Sequence, residues 1–142
     1  MLSKINLQYL LSYSGLIPFI IILNIKYFSL IKEELIVDFT IYYSLIIIVF
    51  IGSINWNLDL KINNKIIFHG FFPSLFAVVI IIFNLINFNS DLIIFLLIIF
   101  IIFQLLLDYI LIYSKKLNKS AFYFLRIPLS FSIIILLIFV RL

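Results

Sequence analysis

The sequence predicts an all-α integral membrane protein: one domain over residues 1–142, folded as a five-helix transmembrane bundle with short loops. Three observations predict it. Hydrophobic residues make up 66% of the chain and charged residues 11%, with a mean hydropathy of +1.35; a soluble domain is about half apolar and about a quarter charged. A water-soluble globule could not hide that much apolar surface. The apolar residues also fall into five runs, each near the roughly 20 residues that a helix needs to cross the hydrocarbon core. Within each run they are continuous, where a barrel strand would alternate polar and apolar positions in pieces of about ten residues.

The first span is read over 7–28. Lys4 precedes it as in a signal peptide, but no small-x-small cleavage pattern follows and Asn24, Ile25 and Lys26 stand there, so it is expected to remain as an uncleaved helix. The second span is read over 39–56, the third over 66–86, the fourth over 91–113 and the fifth over 121–140. Asp38, Asn64, Ser90 and Ser120 precede the last four, where short polar side chains can accept from unpaired first-turn amides. Five such spans use roughly 100 positions and leave no room for a separate extramembrane catalytic domain.

Five spans put the N-terminus, the second loop and the fourth loop on one side. That side carries Lys4, Lys61, Lys65, Lys115, Lys116 and Lys119, and the other carries Lys26, Lys32 and Arg141. The excess predicts an N-terminus inside and a C-terminus outside. The lipid bilayer is the expected surrounding. The Ile, Phe, Asn and Lys bias is that of an AT-rich genome, which suits a bacterial or an organellar membrane.

Several function classes are excluded. With no cysteine there is no disulfide, thiolate zinc site or iron–sulfur cluster. His69 is the one histidine, too few for bis-histidine haem, so no cofactor and no metal site is expected. The formal charge of +4 is dispersed among loops, which argues against a nucleic-acid partner. There is no Walker loop, H-E-x-x-H or G-x-S-x-G. Asp108 is the only acid in the interior of a predicted span, which excludes an aspartyl dyad, and no enzymatic activity is expected.

Polar and conformationally special residues concentrate in the inner half of every span. They are Gly15 and Pro18; Gly52, Ser53, Asn55 and Trp56; His69, Gly70, Pro73 and Ser74; Gln104 and Asp108; and Arg126, Pro128 and Ser130. Intramembrane polar groups are functional candidates by default, and five helices contributing them at one depth can enclose a polar chamber. Asp108 and Arg126 lie about five residues inside their helices, roughly 8 Å deep, on helices joined by a short loop. Each charge is costly there unless paired, so an ion pair is expected, with Gln104 one turn away as a hydrogen-bonding neighbour. That pair is either a clamp between helices or part of a substrate or proton site. His69 is either interfacial or a titrating neighbour of the pair, and Trp56 is either an interfacial belt residue or bundle-facing. Pro18, Pro73 and Pro128 are expected to kink their helices. Gly70, Ser74 and Ala77 form a small-residue stripe suited to close packing.

Five ordered segments carry a family resemblance. Tyr13-Ser14-Gly15-Leu16-Ile17-Pro18-Phe19, the stretch Tyr43 to Trp56 with Phe50 and Gly52, Pro73-Ser74-Leu75, Gln104 with Asp108, and Tyr123 with Leu125-Arg126 and Pro128-Leu129 resemble the landmarks of the membrane family called domain of unknown function 3429. The family includes the mitochondrial transmembrane protein sixty-nine of animals. Where the family usually has a second glycine, a histidine and a final glycine, this chain has Ser53, Asn55 and Asn57, and Ser130 replaces a threonine. The resemblance implies a multispan inner-membrane protein, bacterial or mitochondrial, and supplies no reaction.

Two functions are therefore expected in competition. One is a non-enzymatic assembly factor or accessory subunit of an inner-membrane complex, with other membrane subunits as partners. The other is a quinone- or lipid-headgroup-binding or proton-relay protein built on Gly15, Pro18, Trp56, His69, Pro73, Ser74, Gln104, Asp108 and Arg126.

Overall fold

A computed structural model describes residue 10 and residues 12–53, 64–113 and 122–141, and all their regular structure is helical. Five helices follow in order: α1 (Ile17–Tyr27), α2 (Glu33–Ser53), α3 (Asn64–Leu85), α4 (Ser90–Tyr113) and α5 (Ile127–Arg141), the last continuing from a π-helical turn, Phe122–Arg126. Four stretches are long and apolar enough to cross a membrane: Glu33–Gly52, Phe68–Leu85, Ser90–Ile110 and Phe122–Arg141. The fifth apolar helix, Ser12–Tyr27, is shorter.

Boundaries move where charge misleads a hydropathy count. Helix α2 begins at Glu33, not Phe39, because Glu33 and Glu34 suit the positive end of the helix dipole in its first turn. The carbonyl of Lys32 accepts from the amides of Leu35 and Ile36. Asp38, expected to precede the helix as its cap, thus lies inside it, where its Oδ1 accepts from Asn84 Nδ2 at 3.2 Å. At α4 the cap is Asn89 and not Ser90: Asn89 Oδ1 accepts the Asp91 amide at 2.8 Å. Ser120, read as the fifth cap, lies outside the described residues.

The stops of α1 and α3 share one geometry. Ser29 (φ 52°) and Asn87 (φ 55°) adopt the left-handed conformation. The amides of Ser29 and Leu30 donate to the carbonyls of Lys26 and Ile25, and those of Asn87 and Phe88 to Asn84 and Phe83. This crossed pair of bonds is the Schellman closure. Its hydrophobic contact is present at the second, where the Phe83 and Phe88 rings lie 5.2 Å apart.

Helix α2 occupies the centre and touches all four others, most extensively α3. Its buried face repeats at helical spacing through Ile36, Ile41, Leu45 and Ile48, against Ile80 of α3, Ile93 and Leu97 of α4 and Leu137 of α5. Thr40 and Ser44, also buried there, donate to the carbonyls one turn back, Ile36 and Thr40, at 2.7 Å. That local bond lets a hydroxyl sit in an apolar core. Side chains on the outward faces are large and apolar, such as Ile20, Phe95, Leu106 and Phe139, as a bilayer requires.

Candidate functional site

Asp108 is at the centre of the site. It continues the inward face of α4 below Leu97, Ile101 and Gln104, and its side chain is 2% exposed. The π-helical turn ends at Arg126 and hands it to α5 with its side chain buried. Arg126 Nε donates to Asp108 Oδ2. From α3, His69 Nε2 donates to Asp108 Oδ1 at 2.6 Å. One carboxylate therefore joins three helices, and both its oxygens carry a donor.

The donor inventory of this cluster is left unbalanced. Gln104 Nε2 and both terminal guanidinium nitrogens of Arg126, Nη1 and Nη2, are buried with no hydrogen-bond partner among the described residues. These are amide or charge-bearing donors, and a buried donor without an acceptor costs its desolvation in full. Proline adds one carbonyl to the region. Pro73, in the interior of α3, has no N–H to offer the His69 carbonyl one turn back.

Among the other described candidates, Gly15, Pro18 and Ser74 form no hydrogen bond with this cluster. Pro73 packs against Gly52: a Cβ on that glycine would stand 2.5 Å from the Pro73 ring and 3.4 Å from the Gly70 carbonyl. Here α2 and α3 are in close contact, with Gly70 and Ala77 buried alongside and Ser74 half-buried, so the small-residue stripe serves packing. Gly15 sits between α1 and α2, where its carbonyl accepts from Tyr43 Oη at 2.8 Å. A cavity of about 40 Å³ beside it is lined by Ser12, Gly15, Leu16, Ile47, Phe50, Ile51 and Leu129, with none of the charged cluster. Trp56, with Asn55 and Asn57, lies outside the described residues.

The other two prolines, Pro18 and Pro128, stand near helix starts. Pro18 stands at the start of α1, where the missing N–H is an orphan in any helix. Pro128 is the second residue of α5, and the carbonyl it leaves without an amide belongs to Phe124. Tyr13 supplies the donor, with Oη 2.5 Å from Phe124 O. Both residues stand out in the sequence, where nothing joins them across a separation of 111 positions.

At the opposite end of the bundle Asn84 Nδ2 also donates to Tyr42 Oη at 3.0 Å. Arg141 Nε pairs with Asp91 Oδ1, and Lys26 Nζ donates to the Val140 carbonyl at 2.6 Å, capping the end of α5. These groups tie helix ends together, and those of Asp38, Asn84, Asp91 and Arg141 border a cavity of about 1170 Å³. No group of three metal-ligating side chains occurs among the described residues.

The chain matches one protein family, described as "Protein of unknown function (DUF3429)", over residues 6–142, nearly its whole length. No curated protein and no solved structure matches it.

Proposed function

The chain belongs to the DUF3429 family of proteins of unknown function, and from that premise we propose that it is a non-enzymatic binding protein of an inner membrane, bacterial or mitochondrial. The His69 end of the bundle faces the inside, and the ligand is a small molecule with hydrogen-bond acceptors, such as a quinone or a lipid headgroup. One observation carries this reading: three donor nitrogens, on Gln104 and Arg126, are buried beside the His69–Asp108–Arg126 cluster without an acceptor among the described residues. A clamp that served only to join α4 to α5 would gain by satisfying them, because low dielectric raises the cost of each unpaired group. A ligand oxygen placed there satisfies them on binding.

The test is extraction in mild detergent followed by mass spectrometry of co-purifying small molecules. A bound amphiphile is expected with the wild-type chain, and its loss is expected in Gln104→Leu at unchanged protein abundance. An empty wild-type protein would overturn the reading. The competing proposal, an assembly factor or accessory subunit of an inner-membrane complex, draws on the short connections and the lack of a nucleophile. Partner proteins recovered in fixed ratio, with no amphiphile, would favour it.

A further inference from the structure

Nη1 and Nη2 of Arg126 and Nε2 of Gln104 each carry two hydrogens, and none of the three nitrogens meets an acceptor among the described residues. Arg126 is 8% exposed and Gln104 5%. We propose that these donors hold the carboxylate of a single-chain amphiphile, a fatty acid, whose two oxygens accept from the two Nη groups while one also accepts from Gln104. The proposal rests on the binding-site reading above and names the class of ligand.

The carboxylate follows from the donors. Arg126 gives Nε to Asp108 Oδ2, and the edge that remains, Nη1 with Nη2, is a planar fork spaced for two oxygens on one atom. A single carbonyl oxygen has two lone pairs and leaves part of this set unmatched, and the two oxygens of a para-quinone stand on opposite sides of its ring. A carboxylate accepts at about four positions. It is also flat and has one substituent, so it enters between packed helices more readily than a phosphodiester, which must bring two.

The negative charge and the single chain follow from place. The stretches 54–63 and 114–121 join helices at this end, and with the first turn of α3 they carry Lys61, Lys65, Lys115, Lys116 and Lys119 against Asp59. Five cations against one anion account for the whole formal charge of +4, so an anion approaching this end meets a positive potential. Helix α4 has 24 residues, which at 1.5 Å each is about 36 Å, and it overhangs a hydrocarbon core of about 30 Å. A centred α4 thus puts Asp108, and the guanidinium that meets it, about 5 Å inside the core boundary. A fatty acid whose carboxylate sits at that level keeps its chain in the hydrocarbon.

Radiolabelled palmitate, titrated against the full chain in phosphatidylcholine nanodiscs with empty nanodiscs as background, tests the proposal. Saturable binding is expected. Methyl palmitate lacks the charge, acetate lacks the chain and hexadecyl phosphate carries a different oxyanion, so each should compete at least about tenfold less well. Arg126→Lys keeps the charge opposite Asp108 but removes the fork, and Gln104→Leu removes the third donor and leaves the charged pair intact. Each should weaken binding at least about tenfold, and Gln104→Leu decides the matter should Arg126→Lys fail to fold. Phe95→Ala, on the outward face of α4, should leave binding unchanged. Equal competition by the ester, acetate or the phosphate, unchanged binding in Gln104→Leu, or no saturable binding would overturn the proposal. If palmitate fails while an amphiphile still co-purifies in a Gln104-dependent manner, the carboxylate assignment falls and the binding-site reading stands; if neither is seen, both fall.

Discussion

Asp108 accepts from both His69 and Arg126, so its loss and the loss of Arg126 are not equivalent. Asp108→Ala leaves a buried guanidinium with no acceptor and frees His69 as well. Arg126→Ala leaves the carboxylate with the His69 bond intact. Breaking a buried pair from one side costs about 3–5 kcal/mol, and Asp108→Ala is expected to be the more damaging. The double variant should cost clearly less than the sum of the singles. Unfolding in detergent of all three variants measures this, and strict additivity would mean that the two charges do not meet. This pairing was legible because two opposite charges stood at equal depth on helices joined by a short loop. The part played by His69 was not, because an imidazole near a helix start suits the headgroup region as well as the interior, and hydropathy records depth without direction.

At the scale of one helix against another, the Gly52–Pro73 contact is the tightest constraint. A methyl group on Gly52 would lie 2.5 Å from a proline ring, which cannot swing away, whereas at Gly15 the nearest side-chain atom is Ile47 Cδ1 at 3.2 Å. Gly52→Ala should therefore lower stability by about 1–3 kcal/mol, the range for overpacking. Gly15→Ala should cost less, since Ile47 can change rotamer. Melting temperatures of the two variants in one detergent decide it; equal shifts would show that α2 and α3 can separate without loss. The proline positions illustrate what sequence omits at this scale. Whether a proline starts a helix or breaks one depends on a boundary a few residues away, and the acidic first turn of α2 and the Asn89 cap of α4 show how charge and capping shift such boundaries.

For the whole molecule, composition and the unbroken apolar runs predicted an all-helical chain whose helices are long and apolar enough to cross a membrane, and the runs placed those helices in order. The arrangement around α2 was not legible. Each helix is apolar on nearly every side, so no polar face marks which side meets lipid; the buried Thr40 and Ser44 on α2 are the faint exception. Orientation remains with the lysines and arginines outside the spans, six against three. A reporter active only outside the membrane, fused after residue 142, is expected to give signal, and the same reporter before residue 1 none. The reverse pattern would place the His69 end on the outer face.

The bond from Tyr13 to the Phe124 carbonyl bears on biogenesis. Residue 13 is made before residue 124, so the hydroxyl that satisfies the carbonyl freed by Pro128 is in the bilayer before that carbonyl arrives. The acceptor for Arg126 is likewise already in place on α4. This charged helix entry is thus received by groups that the ribosome has already delivered, and the insertion machinery need not hold a bare guanidinium in lipid while its partner is still being synthesised.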